Sequence, residues 1–90
     1  MRLVPTGGGV EIAVHELGSD RNEGDGPDIV LIHAAGLHAR TWAPLVRHLD
    51  GRRAIGLDVR GHGHSTDPPG PSFAWPDLAA DVIEALAALD

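Results

Sequence analysis

The sequence has no cysteine, which removes a disulfide framework, a thiolate zinc site and a cysteine nucleophile together. It has no apolar run approaching membrane-spanning length, and its first residues, M-R-L-V-P-T-G, lack the long apolar core of a signal peptide. Excess positive charge is missing as well. Lys and Arg number 7 against 13 Asp and Glu, a formal charge of −6, which argues against nucleic acid or an anionic membrane as the main partner. No internal repeat occurs. A nucleotide-binding G-x-G-x-x-G between strand and helix is also absent: one candidate turn reads H-A-A-G-L-H, and Gly61-His62-Gly63 leads into prolines instead. These absences leave a cytoplasmic location as the default.

What is present suits one small globular domain. The 90 residues are 42% hydrophobic and 22% charged, an ordinary balance for a chain with a modest core. Residues 2–5 and 10–17 flank Thr6-Gly7-Gly8-Gly9, and Val10, Ile12 and Val14 alternate with Glu11, Ala13 and His15. That alternation is strand periodicity, and a glycine-rich turn between two short extended runs reads as a β-hairpin. The alternation predicts that His15 faces solvent. Residues 18–27, G-S-D-R-N-E-G-D-G-P, read as a polar surface loop.

The centre of the chain lies between Asp28 and Ser65. Residues 29–32, I-V-L-I, form a β-branched apolar run that suits a strand covered on both faces. It stops at His33-Ala34-Ala35-Gly36, small residues whose backbone amides can lie open. Next, Thr41 is placed to cap a helix, with Trp42, Leu45, Val46 and Leu49 along one face. Pro44 sits in its first turn, and Gly51 is suited to a left-handed C-terminal position. A second apolar run, residues 53–58, leads into Asp58-Val59-Arg60-Gly61-His62-Gly63-His64-Ser65. Strand, helix, strand is a parallel β-α-β unit, and both turns fall at the carboxyl edge where open α/β sheets bind ligands. Residues 66–71, T-D-P-P-G-P, exclude regular structure. A last helix covers residues 73–90, started by Pro76 and Asp77, with Leu78, Val82, Ala85, Leu86 and Leu89 as its apolar stripe.

The two turns resemble the N-terminal part of the α/β-hydrolase family, in which a strand runs into His-Gly and the next strand into D-x-R-G-x-G-x-S. The first motif here is His33-Ala34-Ala35-Gly36, with Ala34 where glycine is usual; the second is complete in Asp58, Arg60, Gly61, Gly63 and Ser65. The resemblance spans about residues 10–89. It implies a partial α/β-hydrolase sheet: an N-terminal β-hairpin, then a β-α-β unit and a further helix, with residues 1–90 as the N-terminal part of one domain. It also implies that residues 29–32 lie between the strand at residues 54–58 and a strand carrying the nucleophile.

By the same resemblance the backbone N–H of Ala35 is one oxyanion-hole donor. His33, Gly36, Asp58, Arg60, Gly61, Gly63 and Ser65 shape the two turns; Asp58 and Arg60 brace theirs by hydrogen bonds and charge pairing. Gly61 and Gly63 occupy positions that a side chain would strain. Acyl transfer on this architecture needs a serine on a strained strand-to-helix turn, usually G-x-S-x-G, followed in chain order by an acid and a histidine. None of Ser19, Ser65 and Ser72 has those glycines, so no catalytic residue is assigned in this chain. The expectation is a fragment ending before its nucleophile and inactive alone. Its parent would be an esterase, lactonase, epoxide hydrolase, dehalogenase or cofactor-free haloperoxidase acting on a small, mostly apolar substrate.

No cofactor is expected. His62 and His64 form an H-x-H pair that zinc could use with Asp58 or His38 as third ligand. The family pattern already accounts for that turn, so no metal is assigned, and removal of either histidine is expected to be nearly neutral. The open alternatives are a non-catalytic interaction or complementing fragment and, below it, a histidine-based metal module. Loss of the neighbouring strand further predicts self-association or a complementing C-terminal polypeptide.

Overall fold

In the computed structural model of the chain, the described residues are 1–18, 27–49, 52–68, 70 and 73–89. Among these residues four strands form one mixed sheet. Strand β1 (Arg2–Pro5) pairs antiparallel with β2 (Glu11–Glu16), with Val4 opposite Ile12. The hairpin closes through the Thr6 N–H to the Val10 carbonyl, at 2.9 Å, and Gly9 takes φ +82, a conformation glycine adopts without strain. Strand β3 (Ile29–Ile32) lies parallel to β4 (Ala54–Leu57), and β4 also pairs antiparallel with β2. The order β1-β2-β4-β3 leaves β3 at an edge.

Between β3 and β4 the expected helix is much shorter than its apolar spacing suggested. A 3-10 turn, Ala39–Trp42, runs into a single α-helical turn, α1 (Ala43–Val46). Thr41 is not the cap but part of the 3-10 turn. His38 holds the cap position in an extended conformation, and the Thr41 hydroxyl donates back to its carbonyl. Of the predicted face, Val46 is buried, Trp42 and Leu49 are half-buried, and Leu45 is exposed. The Gly51 conformation and most of the loop at residues 18–27 lie outside the described residues. Helix α2 spans Trp75–Ala87, with Pro76 at its start and Asp77 in its first turn. No helix among the described residues is long and apolar enough to cross a membrane.

The sheet has two unequal faces. Ile12 and Val14 of β2 and Ile55 and Leu57 of β4 point to one side, where Val82, Ala85 and Leu86 of α2 and Leu89 just beyond its end cover them. Ala13, His15, Ala54 and Gly56 point to the other. There a Cβ on Gly56 would come 2.6 Å from Leu17 and 2.9 Å from Ala39, so the chain around α1 packs directly on the strand backbone. Every residue of β4 is therefore buried. Strand β3 is not: Val30 and Ile32, on the α2 side, keep 37% and 47% of their surface, because α2 covers β2 and β4 and stops short of the edge.

That second covered face overturns one sequence expectation. His15 is buried, 4% exposed, rather than solvent-facing. Alternation along a strand separates the two faces of a sheet; it does not say which face is wet.

Candidate active site

Asp58, the first residue beyond β4, is almost fully buried and gathers donors from three parts of the chain. Oδ1 accepts the Ala39 N–H at 2.7 Å; Oδ2 accepts the His64 N–H at 3.0 Å and pairs with His15 Nε2 at 2.8 Å. Burial pushes this carboxyl's pKa up, but the Ala39 and His64 amides and the His15 ring outweigh it and hold it below its ordinary value of 3.8. The turn wraps the carboxylate so closely that a Cβ on Gly63 would fall inside it, and Gly61 and Gly63 take φ of +72 and +52. Ser65 accepts the Ala13 N–H at 2.8 Å and donates to the Asp58 carbonyl at 2.6 Å. Its hydroxyl ties the turn to β2.

Arg60 faces the opposite way. Its Nε and one Nη meet the two oxygens of Asp81 on α2 at 2.6 and 2.9 Å, with both residues buried. Thr6 adds its hydroxyl to Asp81 at 3.0 Å, and the Gly7 N–H reaches Glu84 at 2.9 Å. Hydrogen bonding to Asp81 raises the Arg60 pKa further above its ordinary value, against the opposing effect of burial. A bidentate guanidinium–carboxylate pair fixes orientation as well as separation. It locks the second turn, the hairpin tip and α2 into one unit.

The first turn is held from two sides. The Leu37 N–H bonds the Ala34 carbonyl at 3.1 Å and Gly36 takes φ +83, the arrangement of a type II turn, which favours glycine at that position. His33 is buried; its Nδ1 lies 2.7 Å from the Ala34 carbonyl and its Nε2 accepts the Val59 N–H at 3.0 Å. His62 reaches the other way: Nε2 accepts the Gly36 N–H at 3.0 Å and Nδ1 lies 2.9 Å from the Arg60 carbonyl. The Ala35 N–H has no hydrogen-bond partner among the described residues. It sits past the end of β3, beside a groove of about 700 Å³ whose lining includes Ile32, Val59, Leu78 and Val82.

The H-x-H pair does not converge. His62 belongs to the first turn's contacts, whereas the ligand atoms of His15, Asp58 and His64 lie within 4.8 Å of one another. His15 and Asp58 are already bonded to each other, and His64 is 62% exposed with its Nδ1 3.9 Å from the carboxylate. Of the serines, only Ser65 falls among the described residues. Sequence reasoning missed three participants: His15, Asp81 and the reach of His62. Asp81 carried a readable signal, because a carboxylate three residues after Leu78 and four before Ala85 interrupts the apolar stripe. The other two gave none, since their partners come from distant elements.

Comparison with known proteins bears on the fold. Residues 27–90 match the profile of the alpha/beta hydrolase fold. A pimeloyl-(acyl-carrier protein) methyl ester esterase of Methylococcus capsulatus is 39% identical over 64 residues, covering 70% of this chain and 24% of that protein. An (E)-2-((N-methylformamido)methylene)succinate hydrolase of Acinetobacter baylyi is 40% identical over 45 residues, 49% of this chain and 17% of that one. Among solved structures, the enol-lactonase of Burkholderia xenovorans superimposes with a TM-score of 0.82 at 32% identity, covering 98% of this chain and 33% of that one. The chain thus spans about a quarter of the length of the esterase it matches. It belongs to the α/β-hydrolase fold family.

Proposed function

We propose that this chain supplies the N-terminal portion of an ester- or lactone-cleaving hydrolase domain. Its part in the reaction is one oxyanion donor, the Ala35 N–H, and one wall of an apolar substrate site. The observation that carries the reading is that amide: unpaired among the described residues, at the carboxyl end of a parallel strand, and beside a groove lined mainly by apolar side chains. A tetrahedral intermediate places negative charge on the former carbonyl oxygen, and a pre-aimed backbone N–H stabilises it without reorganisation. The substrate class is a small, mostly apolar ester or lactone. The likeness to the esterase and the enol-lactonase supports that class.

Nucleophile, acid and base come from polypeptide beyond these residues, because none of Ser19, Ser65 and Ser72 lies in a G-x-S-x-G turn and Ser65 is engaged with β2. Residues 1–90 alone are therefore inactive and act as the complementing half of a domain. The open edge of β3 favours that role: a further strand beside Ile29–Ile32 would satisfy its free backbone groups and cover Val30 and Ile32. The test is an assay with a chromogenic short-chain ester, run on the chain alone and on the chain mixed with the C-terminal remainder of a related hydrolase. Turnover only in the mixture is expected. Saturable turnover by the chain alone, abolished by Ser65→Ala, overturns the reading.

A further inference from the structure

The two histidines at the sheet edge are joined crosswise. His33, on the first turn, takes the Val59 N–H of the second; His62, on the second, takes the Gly36 N–H of the first. Their ring centroids are 5.1 Å apart. We infer that His62 is a positioning residue for the Ala35 amide, and that with His33 it forms a clasp which closes only while both imidazoles are neutral.

The chemistry follows from what each partner can offer. A carbonyl only accepts, so the proton of each ring sits on the nitrogen facing one: Nδ1 toward Ala34 in His33, and Nδ1 toward Arg60 in His62. A backbone N–H only donates, so each Nε2 must carry a bare lone pair. Both rings are thereby assigned the Nδ1–H tautomer. Protonation of either Nε2 sets N–H against N–H and removes that bond.

The consequence for the turn is specific. Its first peptide is fixed at the Ala34 carbonyl by the Leu37 N–H and by His33. Its second is fixed at the Gly36 N–H by His62. In a trans peptide the N–H points opposite to the carbonyl, so pinning the Ala34 oxygen aims the Ala35 N–H away from it, and pinning Gly36 stops the next peptide from rotating.

The charged and ionisable groups around the pair are mostly engaged elsewhere. The second turn also carries Asp58, paired with His15 and the Ala39 N–H; Arg60, paired with Asp81; exposed His64; and Asp67, whose carboxylate lies beside Gly61. From α2 come Asp77 and Asp81, both near Arg60, and the first turn ends at exposed His38. Of the described residues lining the groove, only His33 and His62 are titratable; the rest are apolar.

The role for Ala35 rests on the hydrolase reading above, whereas the clasp itself is tested without catalysis. In the 90-residue chain, nitrogen-15 NMR should show both rings as the Nδ1–H tautomer at pH 8. The Gly36 amide resonance should then move as the His62 ring gains its second proton on acidification, and that of Val59 as the His33 ring does. His62→Ala should speed Gly36 amide exchange by roughly three- to tenfold, the factor carried by one hydrogen bond of ordinary net worth. His62→Gln, whose side-chain oxygen can accept where Nε2 did, should restore protection and abolish its pH dependence. An Nε2–H tautomer at His62, a Gly36 amide indifferent to the ring's titration, or equal exchange in the Ala and Gln variants overturns the clasp. If the clasp is found and the complemented ester assay still fails, the clasp stands and the hydrolase reading falls.

Discussion

Replacing Asp58 by Asn changes one atom and should unfold a third or so of the stability of the chain. The carboxylate accepts at 2.7, 2.8 and 3.0 Å from Ala39, His15 and His64. Hydrogen bonds to a charged group contribute about 1.5–3 kcal/mol each, and a buried donor left unpaired costs about 1–3 kcal/mol. Asn keeps one carbonyl oxygen, enough for the Ala39 N–H. Its NH₂ then occupies the place of Oδ2, facing the His64 N–H and His15. The His15 ring can move its proton and accept, but the His64 amide cannot. The net loss is about 2–4 kcal/mol, against a total of roughly 5–13 kcal/mol for a domain of this size. Urea unfolding followed by tryptophan fluorescence and by circular dichroism measures it. Acid adds a second readout. The folded carboxyl sits below its ordinary pKa, so its stabilising effect is complete above the unfolded-state value, about 3.9, and is lost as pH falls through the folded value. The parent should therefore lose stability below about pH 4, and Asp58→Asn should lack that component. A variant within ~1 kcal/mol of the parent, with the same acid profile, refutes the account of Asp58 as the organising group.

The other expectations are more local. Gly63→Ala should cost about 2 kcal/mol or more, because a left-handed φ is compounded by overlap with a buried carboxylate, whereas Gly61→Ala should cost about 1 kcal/mol, since half-exposed Phe73 can move aside; equal thermal shifts would contradict this. Ser65→Ala should lose about 1–2 kcal/mol through its two hydrogen bonds, read by chemical denaturation; an unchanged midpoint would mean that its hydroxyl does not anchor the turn to β2. Asp81→Ala removes the bidentate carboxylate partner of buried Arg60 and should cost about 3–5 kcal/mol, read by chemical denaturation; a loss below ~1 kcal/mol would mean that Arg60 is held by other groups, nearby Asp77 among them. Light scattering after size exclusion should find the chain self-associated, and a sharp monomer with slow amide exchange along both edges of Ile29–Ile32 would show β3 to be closed already.

Much of this fold could be read from the sequence because its signals were local. The I-V-L-I run, the alternation at Val10, Ile12 and Val14 and the stripe from Leu78 to Leu89 each report a period within one element, and each element formed. Gly61 and Gly63 were readable as strained positions because only glycine tolerates them cheaply. The helix after Thr41 was over-read. Trp42, Leu45, Val46 and Leu49 have helical spacing, but packing Ala39 against Gly56 and its N–H on Asp58 draws the chain into a 3-10 turn first, leaving a single α-helical turn. His15 was misread because strand alternation says nothing about what lies over the second face. Nor can any one-dimensional pattern announce that Asp58 takes a proton donor from residue 15 and another from residue 39.

The same contacts explain why two short motifs, each weak alone, make a specific pair. The first turn is a brief excursion between the end of β3 and the 3-10 turn; it is fastened to the second at two points, His33 to the Val59 N–H and His62 to the Gly36 N–H, and the 3-10 turn that follows adds a third, the Ala39 N–H to Asp58. None of these bonds lies within either turn. The direction of the Ala35 amide is therefore inherited from the D-x-R-G-x-G-x-S run, which is in turn anchored to β2 by His15 and Ser65 and to α2 by Arg60. A substitution at Asp58, on the face of the sheet away from the groove, can thus reach the amide without touching it. The two motifs are halves of one polar network, and the Ala35 N–H, without a partner among the described residues, is the group that the proposed chemistry needs.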